Sequence, residues 1–88
     1  LSNDDALLIY PNPFNSNFVI DFYSTKKEII VVELYDVAGR KITNQEQVVF
    51  ANISNKLSLT NSSILAKGIY SIRLISSDKT YYSKIIKQ

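Results

Sequence analysis

Residues 28–40 read Glu-Ile-Ile-Val-Val-Glu-Leu-Tyr-Asp-Val-Ala-Gly-Arg, and they carry the clearest fold signal in the chain. Every second residue of the first part is apolar, which is typical of a strand that buries one face. The inward-facing set is Ile30, Val32 and Leu34. Because Ile29 and Val31 make the second face apolar as well, we expect a central or covered strand. Asp36 and Gly39 follow at the spacing of a hairpin turn, since Asp accepts hydrogen bonds from turn backbone and Gly tolerates a positive φ.

Outside this stretch the chain repeats short alternating segments separated by polar turns. Further strands are predicted over residues 7–10, 18–23, 41–50, 52–60, 69–75 and 80–87. Their expected inward residues are Phe18, Ile20, Phe22, Ile42, Val48, Phe50, Leu57, Leu59, Tyr70, Ile72 and Leu74. Seven short strands at intervals of roughly 8 to 12 residues, with no helix of useful length, predict an all-β fold. We expect a single immunoglobulin-like antiparallel β-sandwich of about seven strands, whose two sheets share one core.

The composition excludes most familiar catalytic chemistry. The 88 residues carry a formal charge of +2, from ten Lys and Arg against eight Asp and Glu, and include no His, Cys, Met or Trp. The chain therefore lacks the usual general base at neutral pH, a thiolate nucleophile, disulfides and the imidazole or thiolate ligands of zinc. We expect no enzyme activity, no catalytic residue, no cofactor and no metal. The evenly spread charge gives no case for nucleic acid, and no apolar run approaches the roughly 20 residues that span a bilayer.

The remaining polar groups have ordinary structural explanations. Asn3, Asp4 and Asp5 offer adjacent oxygens, but a calcium ion needs six or more converging ligands, so we interpret them as solvated. Four carboxylates lie at strand positions and are expected to be solvated on outward faces. They are Asp21, Glu28, Glu33 and Glu46. Asn52 and Asn61 begin Asn-x-Ser sequons, which matter only in a host that glycosylates.

The polar residues 1–6 are interpreted as the end of an interdomain linker, and residues 7–88 as the folded domain. Because the sequence begins with Leu1 rather than Met, we expect it to be part of a longer protein. Pro11 and Pro13 each remove a backbone donor and restrict the preceding residue, so the segment around them should leave the sheet ladder.

Four segments together resemble a known family. They are Tyr10-Pro11-Asn12-Pro13-Phe14, Leu34-Tyr35-Asp36-Val37-Ala38-Gly39-Arg40, Leu65-Ala66-Lys67-Gly68-Ile69-Tyr70 and Lys84-Ile85-Ile86-Lys87-Gln88. In this order and spacing they are similar to the type A C-terminal sorting domain of the type IX secretion system, also called the Por secretion system. The resemblance extends from Tyr10 to Gln88, and four motifs in register are more specific than any one of them.

The resemblance implies that the chain is an address label on a larger N-terminal cargo protein. In this family the cargo reaches the periplasm, and the folded domain is recognised by the outer-membrane translocon of certain Gram-negative bacteria. A sortase-like cysteine peptidase then usually removes the domain, and the cargo is anchored at the cell surface or released. The implied location is the periplasm in transit, followed by the cell surface or the extracellular space.

The resemblance also assigns the signal motifs to particular residues. They are Pro11, Asn12, Pro13, Gly68, Tyr70, Lys84 and Lys87. The two prolines are expected to stiffen the junction, leaving an accessible segment for the peptidase within residues 1–9. Gly68 is expected to let the crossover approach the sheet, and Tyr70 to bury its ring while its hydroxyl reaches a backbone partner. Lys84 and Lys87 are expected on opposite faces of the last strand, whose open edge would accept a partner's strand.

An alternative function is a carbohydrate-binding or adhesion module of a secreted enzyme, with the same immunoglobulin-like fold. Outward aromatic side chains on a sandwich form stacking platforms for sugar rings. By alternation, Tyr23, Tyr35 and Tyr81 are the candidates for such a platform. Tyrosine is also a favoured strand residue, and ordinary packing at a sheet margin is the simpler explanation.

Overall fold

A computed structural model describes residues 7–59 and 65–88 of the chain, which form seven β-strands. The strands are β1 (Leu7–Tyr10), β2 (Val19–Ser24), β3 (Glu28–Asp36), β4 (Lys41–Val49), β5 (Ile53–Leu57), β6 (Gly68–Ile75) and β7 (Thr80–Lys87). Their bounds follow the predicted strands closely, except that β5 ends before the predicted limit. The predicted linker over residues 1–6, with its candidate calcium ligands, and the sequon at Asn61 lie outside the described residues.

Two antiparallel sheets share these strands. The three-stranded sheet has the order β1-β2-β5, and the four-stranded sheet has the order β4-β3-β6-β7. The predicted all-β antiparallel sandwich is therefore confirmed, and β3 is a central strand as predicted. Across the described segments there is no helix, and so none that is long and apolar enough to cross a membrane.

The core lies between the sheets and is built by the inward residues of the alternating strands. Its buried apolar members are Ile9, Phe14, Phe18, Ile20, Phe22, Ile30, Val32, Leu34, Val49, Leu57, Leu59, Tyr70, Ile72, Leu74 and Ile85. They include all the inward residues predicted for β2, β3, β6 and the β5 segment. The Phe14 and Phe18 rings meet edge to face with centroids 4.8 Å apart. Because the chain contains no cysteine, packing of this kind must hold the sheets together.

The inward residues predicted for β4 are wrong. Ile42, Val48 and Phe50 are each about half exposed, whereas Val49 is fully buried. The antiparallel register places Val48 opposite Ile29, which is itself exposed on the outer face of the sheet. The apolar residues that alternate along β4 therefore face solvent and not the core.

The cause is the position of β4 at the edge of the wider sheet. Part of its inner face meets polar backbone instead of apolar side chains. The side-chain amides of Gln45 and Gln47 donate to the carbonyl oxygen of Ser58, at 2.9 and 3.4 Å. The hydrogen-bonding groups of these two glutamines therefore have partners on the inner face of β4, where the alternating pattern alone would predict apolar residues.

A buried polar side chain organises the passage from β4 to β5. Asn55 Nδ2 donates to three carbonyl oxygens at 3.1 to 3.2 Å, which belong to Phe22, Phe50 and Ile53. Its Oδ1 accepts from the Phe50 amide at 2.9 Å. Asn52 adopts a positive φ of 64° in the same turn. One amide side chain thus joins the end of β4, the start of β5 and the neighbouring β2.

Val49→Ala should destabilise the domain by about 2 kcal/mol, because it removes two buried methyl groups and leaves a cavity. Val48→Ala is the matched control on the solvent side of the same strand, and it should change the free energy of unfolding by less than about 0.5 kcal/mol. Urea unfolding of the purified chain measures both variants. Equal losses at the two positions would contradict the register of β4.

Candidate functional site

The four sequence motifs converge at one end of the four-stranded sheet. The antiparallel register pairs Asp36 with Tyr70 and Tyr70 with Ile85, so the hairpin turn, the start of β6 and the end of β7 lie side by side. Phe14 forms a bridge to Lys87 on the far side of β7. We call this region the motif end, and it consists of residues 11–14, 36–40, 68–70 and 84–88.

Asn12 takes the place of a strand along the outer edge of β7. Its Oδ1 accepts from the Ile86 amide and its Nδ2 donates to the Lys84 carbonyl oxygen, both at 3.0 Å. Pro11 and Pro13 flank it, each after a cis peptide bond, and neither has a backbone N–H to donate. The Asn12 side chain therefore supplies the donor and the acceptor that the backbone of a paired strand would supply.

Phe14 anchors the same segment between the two sheets. Its side chain is fully buried. Its backbone amide donates to the Ile86 carbonyl oxygen and its own carbonyl oxygen accepts from the Gln88 amide, both at 2.9 Å. The edge of β7 from Lys84 to Gln88 is therefore occupied. The predicted open edge is wrong for this half of the strand, because the proline segment covers it.

Two further motif residues fix the start of β6. Tyr70 buries its ring in the core, and its hydroxyl donates to the Ala66 carbonyl oxygen at 2.6 Å, as predicted. Gly68 has a φ of +152°, a backbone conformation that L side chains rarely adopt. A Cβ at this position would meet no atom within 4 Å, so the predicted close approach of the crossover is wrong. Backbone conformation explains the glycine instead.

Asp36 holds the hairpin turn between β3 and β4. Its Oδ1 accepts from the amides of Ala38 and Arg40 at 3.0 and 2.9 Å, and its Oδ2 accepts from the Arg40 guanidinium at 2.8 Å. These interactions, the Arg40 amide foremost, lower the pKa of Asp36. Gly39 completes the turn with a φ of 86°. The turn holds the side chain of Val37 in solvent, where 83% of it is exposed.

The two terminal lysines lie on opposite sides of β7, as predicted. Lys84 is exposed on the outer face of the sheet. Lys87 is half-buried on the other side, with its ammonium 5.9 Å from the centroid of the Phe14 ring. Within residues 7–59 and 65–88, no carboxylate lies within 4 Å of the Lys84 ammonium.

A groove of about 560 Å³ crosses the outer face of the four-stranded sheet at the motif end. Its lining residues include Tyr35, Val37, Ile69, Arg73, Tyr82 and Lys84. They come from the outward positions of β3, β6 and β7 and from the hairpin turn. The groove is mainly apolar, and its charged lining residues are Arg73, Lys84 and Asp36.

Glu33 lies on this outer face and is buried, so its predicted solvated position is wrong. Its Oε1 accepts from the Tyr35 hydroxyl at 2.9 Å and from Arg73 Nε at 2.6 Å, and its Oε2 pairs with Lys41 Nζ at 3.0 Å. Burial raises the pKa of Glu33, but the hydrogen bonds from Lys41, Tyr35 and Arg73 together outweigh it and lower the pKa below its ordinary value. Three donors therefore keep a buried carboxylate ionised.

The other three carboxylates that were predicted at strand positions do not lie together in one site. Asp21 pairs with Lys56 at 3.0 Å, and this hydrogen bond raises the pKa of Lys56. Glu28 accepts from the Ser77 amide at 2.9 Å. Glu46 is exposed on the edge strand β4. The described part of the chain holds no group of three or more His, Cys, Asp or Glu side chains placed to bind a metal ion.

The three candidate tyrosines lie on different surfaces, so the predicted stacking platform is wrong. Tyr23 is exposed on the outer face of the three-stranded sheet, whereas Tyr35 lies on the outer face of the other sheet. Tyr81 packs inward against the core. Sequence reasoning missed Tyr82, which is 68% exposed beside the groove. Side chains alternate between the two faces of a strand, so an inward Ile85 in β7 places Tyr82 on the outer face. This alternation was the sequence signal that could have identified Tyr82.

A protein-family model described as a secretion system C-terminal sorting domain matches residues 8–88 of the chain. The match covers all four motifs and nearly every residue of both sheets. No curated protein sequence matches the chain.

Asn12→Ala should destabilise the domain by about 1 to 2 kcal/mol, because it removes both side-chain hydrogen bonds to the edge of β7. It should also lower the hydrogen-exchange protection of the Ile86 amide, which then has only water as a partner. Asn15→Ala, at an exposed position in the same loop, is the control and should change neither quantity. Unchanged protection of Ile86 in Asn12→Ala would contradict the role assigned to this side chain.

Glu33→Gln should destabilise the domain at neutral pH and much less in acid. The folded-state pKa of Glu33 lies below its ordinary value of 4.5, so the ionised carboxylate stabilises the fold above that pH. The stabilisation is lost as the pH falls from 4.5 through the lowered pKa. Unfolding free energies of wild type and variant, measured from pH 7 into acid, should therefore converge below pH 4.5. Glu46→Gln, at an exposed position, is the control. A difference in unfolding free energy between wild type and Glu33→Gln that does not change with pH would contradict the prediction.

Proposed function

The chain belongs to the family of type IX secretion C-terminal sorting domains, and we propose that it is the address label of a larger secreted cargo protein. The family is defined by a sorting signal and not by a catalytic activity. Membership implies export toward the outer membrane and the cell surface or extracellular space. The observation that carries the proposal is the family match over residues 8–88, joined to the convergence of its four motifs at one end of a sheet.

In the proposed pathway, residues 7–88 are the sorting domain and residues 1–6 are the end of the linker from the cargo. The outer-membrane translocon binds the folded domain in the periplasm. A sortase-like cysteine peptidase then removes it, and the cargo is anchored at the surface or released. The domain itself has no enzymatic role in this scheme, which fits its lack of His and Cys.

The proposed cleavage falls on the N-terminal side of Leu7. Residues 7–10 pair with β2 along their whole length, and Ile9 is buried in the core. A peptidase needs an extended segment that enters its active site, and a paired strand does not offer one. We therefore propose that residues 7–9 are not part of the accessible segment that the sequence predicts within residues 1–9.

The motif residues divide into two groups by the face on which they lie. Tyr70, Phe14 and Asn12 are engaged with the core or with the edge of β7, and we propose that they act in recognition only by building the fold. Lys84 lies on the outer face and is the member of the set best placed for direct contact with a receptor. Lys87 lies beside Phe14, which favours a packing role for its side chain.

Deletion of residues 80–88 should abolish export and leave an active cargo in the periplasm. The deletion removes β7, which is the partner of both β6 and the Asn12–Phe14 segment. Reporter activity in the medium, on the cell surface and in the periplasm measures the outcome. The full chain on the same reporter is the control, and normal secretion without residues 80–88 would contradict the proposed function.

A further inference from the structure

We infer that the groove on the outer face of the four-stranded sheet is the docking surface for the export machinery. Its occupant is a polypeptide segment that carries an apolar side chain next to a carboxylate. The inference rests on the proposed sorting function and adds to it the surface that is read and the chemistry of the partner.

The first argument is the apolar surface that the groove leaves open. Val37 and Tyr82 are 83% and 68% exposed, and Ile69, which lines the same groove, is about half exposed. The register places Ile86 next to Ile69, and it is also about half exposed. Single exposed apolar residues are common on small proteins, but a contiguous group along a groove is typical of a protein-binding surface.

The second argument is the charge along the groove. Asp36 is paired with Arg40, and the Glu33 carboxylate is shared by Arg73 and Lys41. Lys84 has no such partner among residues 7–59 and 65–88, so the groove presents an unneutralised cation. A carboxylate on the partner complements it.

The same charge argues against a second copy of this chain as the occupant. In a two-fold symmetric contact each copy would present the same face, and the Lys84 ammonium groups would meet an equally cationic surface. A neutral sugar is also disfavoured, because the lining offers Tyr82 as its one well-exposed aromatic ring, and the guanidinium carbon of Arg73 lies over the other, Tyr35, at 5.4 Å from its centroid. The apolar lining favours a polypeptide side chain.

The third argument is that backbone pairing is closed where the motifs meet. Asn12 and Phe14 occupy the edge of β7 from Lys84 to Gln88, so a partner cannot extend the sheet there. A receptor that approaches the motif end therefore meets side chains on the outer face. The hydrogen bonds of Glu33 with Tyr35 and Arg73 hold the floor of the groove in place before binding, which reduces the entropic cost of docking.

The test joins a reporter enzyme to the N-terminus of the full chain in a bacterium that has a type IX system. Val37→Asp and Lys84→Glu should each lower export by about tenfold, because one places a charge in the apolar part and the other reverses the cation. Lys84→Arg keeps the charge and should keep export. Leu8→Asp, on the outer face of the other sheet, and Lys27→Glu, just before β3 and far from the motif end, are matched controls and should export normally.

The outcomes separate the inference from the function on which it rests. If the wild-type chain does not export the reporter, the sorting function and the docking surface both fail. If wild type, Val37→Asp and Lys84→Glu all export equally, the docking surface is wrong and the sorting function stands. The melting temperature of each purified variant chain distinguishes lost docking from lost folding.

A second measurement remains decisive if a variant unfolds. A photoreactive benzophenone side chain replaces the exposed Val37 in the otherwise unchanged chain, and the same group at Leu8 is the control. Irradiation of cells should link position 37, and not position 8, to a protein of the outer-membrane export machinery. A product with a second copy of the chain, a product with a polysaccharide, or no product at position 37 would overturn the inference.

Discussion

The closure of the β7 edge by Asn12 and Phe14 is the constraint on which the motif end depends. Two side-chain and two backbone hydrogen bonds join residues that are more than 70 positions apart in the chain. They fix β7, which pairs with β6, and β6 in turn carries Tyr70 and the crossover contact to Ala66. Motifs that look independent in the sequence are therefore parts of one hydrogen-bonded arrangement.

The two faces of the four-stranded sheet divide the work of folding and of surface presentation. Inward residues such as Leu34, Ile72 and Ile85 form a core that must hold without a disulfide. On the outer face, Glu33 is the centre of an ionised network with Tyr35, Arg73 and Lys41. The burial of this carboxylate is tolerated because every oxygen has a strong donor, and the network gives the outer face a fixed shape.

The sequence predicted those parts of the structure that depend on local alternation. The inward residues of β2, β3 and β6 follow a period of two because they are buried between the two sheets. The Asp36 turn depends on a contact between residues only four positions apart. The inward residues predicted for β4 were wrong because part of the inner face of this edge strand meets polar backbone. The local sequence pattern does not reveal that contact. The roles of Asn12 and Glu33 were equally hidden, since each depends on partners from distant strands.

The dependence of the first loop on the last strand also sets an order of events during synthesis. The ribosome adds β7 after the other described strands, so Asn12 and Phe14 lack the hydrogen-bond partners on β7 and at Gln88 until that end of the domain has been made. A nascent chain interrupted before Lys84 would leave Phe14 without the strand that holds it against the core. The closed motif end thus shows that β7 has been made, and a machine that reads it would also discriminate against chains truncated before this strand.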